Sequence, residues 1–188
     1  MTRLRLPAVA VACLMLMSSG CSLQRSRDER DPADPVASVS LDEGRAGVRE
    51  SAAELLGSLT ATDSPLATRG VDLAFADGAW GICTDDAEAF AYDVSARIDL
   101  EGSDSSSTAR DAIEQALAQA GWAVDDEPRI GSPETSITAA SGDYRARVFV
   151  NDVEPLFSVK VFGVCQLVTA DERDRLRQVG PEPLEPTA

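Results

Sequence analysis

An α+β fold, a two-layer sandwich of mostly antiparallel sheet with helices on one face, is what three patterns in this sequence predict. Apolar residues alternate along Phe90, Tyr92, Val94, Ala96, Ile98 and Leu100; two stretches repeat apolar residues at helical spacing; three further alternating runs follow one another as a meander. A sheet that is apolar on one side only must bury that side, and helices with a single apolar stripe supply the cover.

The first helix is read from Val48, Ala52, Leu55, Leu56 and Leu59, spaced i, i+4, i+7, i+8 and i+11, while Arg45, Arg49, Glu50 and Glu54 fall elsewhere on its surface. Residues 61–79 have weak pattern around Pro65 and Gly70 and read as a loop, with a short strand at Val71 to Phe75. The clearest strand runs from Phe90 to Leu100. Its other face carries Asp93, Ser95, Arg97, Asp99 and Glu101, so one side meets the core and the other meets water. Gly102 to Thr108 end it, and a serine near 107 is expected to cap a second helix. That helix has the stripe Ala109, Ile113, Ala116, Leu117 and Ala120, with Gly121 placed to stop it in a left-handed conformation. A short strand at Trp122 to Val124 leads into the meander: Thr135 to Ala140, Tyr144 to Val150, and Phe157 to Val168. In the last, Phe157, Val159, Val161, Cys165 and Leu167 share one face, with Ser158, Lys160 and Gln166 opposite. A closing helix over Asp171 to Val179 carries little apolar surface.

Before this domain stands an N-terminal segment with the features of an export signal. Arg3 and Arg5 precede the apolar run Leu6 to Met17, and the small residues Ser18, Ser19 and Gly20 lead to Cys21. Twelve residues including Pro7 fall short of the roughly 20 a membrane-crossing helix needs. The order Leu16 to Cys21 resembles the lipobox of bacterial lipoproteins, with Ser18 where that motif has an aliphatic residue. The resemblance implies that residues 1–20 are a removed signal peptide and that acylated Cys21 attaches the mature protein to membrane lipid; an ordinary secretory leader is the alternative. Residues 21–41 are polar, charged and interrupted by Pro32 and Pro35, and read as a flexible tether. Residues 42–179 form one domain, and 180–188, with proline every two or three positions, a disordered tail.

Composition limits the chemistry. The chain has no histidine, which removes the usual general base, metal ligand and pH sensor and with them histidine-dependent triads. Its net charge of -15 becomes -17 once Arg3 and Arg5 leave with the signal, and so acidic a surface repels nucleic acid. Cys13 lies inside the apolar run. Cys83 and Cys165 are then the remaining thiols of the domain, and an exported compartment favours a Cys83–Cys165 disulfide. That pairing predicts that the first and last long strands are neighbours or face each other across the core.

Sites for catalysis or metal are not apparent. Asp85, Asp86 and Glu88, and again Asp125, Asp126 and Glu127, lack the glycine and spaced carboxylates of a calcium loop and read as solvated turns. Ser103 to Ser107 offer hydroxyls without a base. No cofactor is implied. On the open sheet face, Asp93, Asp99 and Glu101 lie among Arg97, Arg145, Arg147 and Lys160, a pattern of cross-strand ion pairs. Arg97, Tyr144, Arg145, Arg147 and Lys160, with Phe149 or Phe162 nearby, are the candidate binding face.

Trp80 to Cys83, the alternating strand, Gly121-Trp122 after a helix, and Gly163 to Gln166 together resemble small lipoproteins of actinobacteria, including mycobacterial ones, over about residues 45–168. The resemblance implies an anchored extracytoplasmic domain and transfers no catalytic residue. The leading expectation is a non-enzymatic binding module at the cell envelope, its partner an envelope protein or small ligand. A carrier of a small apolar ligand would require an internal cavity, and a hydrolase acids or a serine–acid pair converging in one cleft.

Overall fold

The first helix, α1 (Leu41–Thr60), begins at Ser40 for a local reason. The Ser40 hydroxyl accepts from the Glu43 amide at 3.3 Å while the Glu43 carboxylate accepts from the Ser40 amide at 3.0 Å, a reciprocal cap for amides that a helix start leaves open. A computed structural model describes the chain over residues 39–83, 89–102, 105–125 and 134–184. Within these, α1 buries the expected stripe of Val48, Ala52, Leu55, Leu56 and Leu59.

The chain continues through β1 (Val71–Ile82), β2 (Ala89–Leu100), α2 (Arg110–Gln119), β3 (Ala123–Asp125), β4 (Glu134–Ser141), β5 (Tyr144–Asn151), β6 (Leu156–Phe162), β7 (Gln166–Leu167), α3 (Ala170–Leu176) and β8 (Glu182–Pro183). The strands form one antiparallel sheet of eight, ordered β3-β4-β5-β6-β2-β1-β8, with β7 beside β2. Helices α1 and α2 seal one face. Leu55, Leu59, Ile113 and Leu117 pack in one cluster with Ile98, Ile137, Val148 and Phe157. Each such side chain, taken fully from water, contributes about 1.5–3 kcal/mol before its ordering entropy is subtracted.

Local chemistry sets the boundaries. Gly121, at φ +82°, ends α2 in a Schellman motif in which the Trp122 amide donates to the Leu117 carbonyl and the Gly121 amide to Ala118. The expected serine cap of α2 takes a different form. A helical turn at Ser106–Ala109 precedes α2, and the buried Ser106 hydroxyl donates to the Asn151 carbonyl and accepts from its amide at 2.6 Å, tying this turn to the end of β5. Thr169 and Glu172 repeat the reciprocal cap at α3, which ends at Leu176, before the expected Val179.

Three expectations are corrected. First, β1 is twelve residues long, where the sequence pattern indicates only a short strand at Val71 to Phe75. Its register slips between Leu73 and Phe75, and such a bulge reverses the alternation so that Val71 and Leu73 face the helices, Phe75 faces away, and Ala76 faces inward again. Second, the run Phe157 to Val168 is not one continuous strand. The ladder breaks at residues 163–165; beyond it Gln166 is buried and Leu167 is 58% exposed, so neither Cys165 nor Leu167 shares the face of Phe157. Third, the region 180–188 contributes to the sheet as far as residue 184: β8 pairs with Asp77 and Gly78, the Leu184 amide donates to the Ala76 carbonyl at 2.8 Å, and the Leu184 side chain enters the core.

Cys83 and Cys165 form the expected disulfide, their Cα atoms 6.0 Å apart. They pack with Ala89 and Ala91 in a small cluster separate from the main core, and β2 and β6 are direct neighbours.

Candidate functional site

The face of the sheet turned away from α1 and α2 collects the candidate residues, and strand register arranges them in rows. Ala140, Arg145, Phe162, Asp93 and Ala79 lie side by side across β4, β5, β6, β2 and β1. The next row is Thr138, Arg147, Lys160, Ser95 and Asp77, and the one after it Ser136, Phe149, Ser158, Arg97 and Phe75. Alternation along each strand is what carries these polar and aromatic side chains to one surface.

Arg97, Arg145, Arg147 and Lys160 are therefore brought together as expected. Tyr144 is not. In β5 the buried positions are Ala146, Val148 and Val150, and Tyr144 shares their parity, packing against the core with its phenol over Gly47 of α1, in space that a side chain at 47 would share with it. Phe75 and Asp77 also belong to the surface and escape a reading by periodicity, because the bulge in β1 hides the strand that presents them. The usable signal is the alternation Ala76, Gly78, Trp80, Ile82.

Two pairs of opposite charge form on this face, while register also sets Arg147 beside Lys160 and Asp72 beside Asp99. Lys160 Nζ lies 3.4 Å from the carboxylate of Asp93, a cross-strand pair, and Arg97 Nε donates to Asp99 at 2.8 Å along one strand. Arg147 lies over the Phe149 ring at 6.0 Å from its centroid. Glu101 sits beyond the end of β2, its amide donating to Gly70. Four cations stand among Asp72, Asp77, Asp93 and Asp99. Aromatic edges among alternating charges can dock a surface of complementary pattern.

A second polar cluster lies on the opposite side of the sheet. Glu182 of β8 accepts from Arg45 Nε at 2.7 Å and from the Tyr92 hydroxyl at 2.9 Å, while Arg49 donates to that hydroxyl at 3.2 Å and to the Pro183 carbonyl at 2.9 Å. Trp80 meets the Tyr92 ring edge-on at 5.3 Å. Burial raises the Tyr92 phenol above its ordinary value. Burial also opposes ionisation of Glu182, but the hydrogen bonds from Arg45 and Tyr92 and the two guanidinium charges outweigh it and hold the carboxyl below its ordinary value. Every partner is a protein group that fastens β8 to α1 and β2, so this cluster is a latch.

Between α1 and α2 an open groove of about 550 Å³ is lined by Ser51, Glu54, Ser58, Gln119, Trp122 and Ser141. No group of three or more metal-ligating side chains occurs among the described residues. Asp125 is in β3; Asp85, Asp86, Glu88, Ser103, Asp126, Glu127 and Cys21 lie outside the described residues. No described helix is long and apolar enough to cross a membrane. No protein-family model, curated protein or solved structure matches this chain.

Proposed function

We propose that this protein is an exported lipoprotein, attached to the extracytoplasmic side of the cell membrane through acylated Cys21, whose domain is a non-enzymatic binding module using the open face of its sheet. The binding reading is supported by one observation: α1 and α2 seal one side of the sheet, while the other offers Phe75 of β1 at 49% exposure beside Arg97, with Lys160, Arg147 and Arg145 on the strands beyond. An exposed large aromatic within a mixed-charge field is a feature of interaction surfaces. Export is supported by the Cys83–Cys165 disulfide, which persists in oxidising compartments, and by the lipobox-like order ending at Cys21. The groove between α1 and α2 has a largely polar lining, which suits the carrier of an apolar ligand poorly.

Two measurements test the reading. Intact-mass analysis of protein purified from its native host is expected to show a chain beginning at Cys21 and bearing a diacylglycerol; retention of residues 1–20, or an unmodified Cys21, overturns the anchor. In intact cells, a photoreactive side chain replacing Phe75 is expected to cross-link to protein, and one replacing Glu54 on the helix side to do so far less. Equal yields from the two positions overturn the face assignment.

A further inference from the structure

We propose that the occupant of the open face is a second copy of this chain, in a two-fold dimer whose axis runs parallel to the strands between β6 and β2. The inference rests on the preceding reading only in taking that face as the binding surface. A two-fold interface must be complementary to itself. An axis along the strands keeps each row in register and exchanges left for right, so β5 of one copy lies over β1 of the other and β6 over β2. The row Arg147, Lys160, Ser95, Asp77 then sets Arg147 against the partner copy's acidic β1 position, and Asp77 against its basic β5 position. In the adjacent row Phe149, Ser158, Arg97, Phe75, the same rotation lays the aromatic of β5 over the aromatic of β1. Opposite charges and aromatic edges thus meet twice from one operation. An in-plane axis perpendicular to the strands would instead stack β5 on β5, with Arg145 and Arg147 facing their own kind.

The size of the face sets the strength. Four strands about 4.8 Å apart and about four rows about 6.6 Å apart give about 500 Å² per copy, near the lower limit for a specific interface. The net charge of -15 per chain opposes association at long range, though at 0.15 M salt that repulsion is screened beyond about 8 Å. A weak dimer follows, one that copies confined to a membrane surface would form more readily than copies in dilute solution.

Sedimentation of the full chain across the micromolar range at physiological salt tests this directly. The wild type is expected to show a concentration-dependent monomer–dimer equilibrium. Arg147→Glu and Asp77→Arg, each alone, oppose like charges at both symmetry-related contacts and are expected to weaken it at least about tenfold. Mixing the two variants restores both contacts, so association of the mixture is expected to return to within about threefold of wild type. Phe75→Ala, which changes no charge, is expected to weaken the dimer several-fold and guards against a folding defect in the reversals. A wild type that stays monomeric, or a mixture no better than its components, overturns the proposal. Cross-links from position 75 to other proteins alone, with a monomeric chain, overturn it while sparing the binding reading.

Discussion

Phe157 and Ser158 are consecutive in β6 and belong to different worlds. Phe157 is fully buried under the helices, whereas Ser158 lies on the open face between Phe149 and Arg97. The whole sheet repeats the contrast. Its covered side is held by many small dispersion and transfer terms that depend on close packing. Its open side carries exposed charge such as the Arg97–Asp99 pair, which water screens and where a change costs little stability, beside the more buried Asp93 that pairs with Lys160. Stability is thus concentrated on one side of the layer, and the proposed recognition falls on the other.

The contrast is broken most severely from the covered side: Phe157→Ala is expected to cost about 3–5 kcal/mol, and Ser158→Ala one position away less than about 0.5, as chemical-denaturation midpoints would show. Equal losses would mean that the two faces are not energetically distinct. Next in size is the staple at the edge of both faces. Replacing Cys83 and Cys165 by serine reopens a loop with a sequence separation of 82, worth about 4.5 kcal/mol in the chain-entropy model and commonly about 2–4 in practice; thermal unfolding with and without reductant measures it.

The latch gives a smaller effect with a defined pH sign. Glu182 titrates below its ordinary 4.5 in the folded chain, so its contribution is fully present above that value and is lost as pH falls through the folded pKa. Glu182→Gln is expected to cost about 1 kcal/mol near neutrality. Its denaturation midpoint should also fall less steeply than wild type below about pH 4.5. A variant with an unchanged acid slope would show that β8 is held by Leu184 and the backbone alone. Smallest is Arg97→Ala, which removes an exposed pair with Asp99 and should change stability by no more than about 0.5 kcal/mol.

Elements whose pattern is local are legible in the sequence. The stripe from Val48 to Leu59, the alternation from Phe90 to Leu100, and the glycine stop after α2 each depend on residues within a few positions of one another, and helix and strand periods are properties of such short stretches. Four of the five residues assigned to the open face follow from the same arithmetic. The strand β1 is not legible because its bulge changes the phase of the alternation in mid-strand, and period counting requires constant phase. Tyr144 is the exception because its assignment to the open face follows its neighbours in sequence and not the period: strict alternation puts it with Ala146, Val148 and Val150 on the covered side, where its phenol lies over Gly47 of α1.

Fold class, the main helices, the central strands and the cysteine pairing are legible in the chain alone, since each is set by local periodicity or by the scarcity of alternatives. Tertiary structure alone decided that a proline-rich C-terminal stretch becomes strand β8. Its composition opposes order, and the stabilisation comes from Arg45, Arg49, Tyr92 and the main chain of β1, groups distant along the chain. It alone also decided which rows of charge and aromatic meet on the open face, because register between strands is a relation among separate segments that no single segment carries.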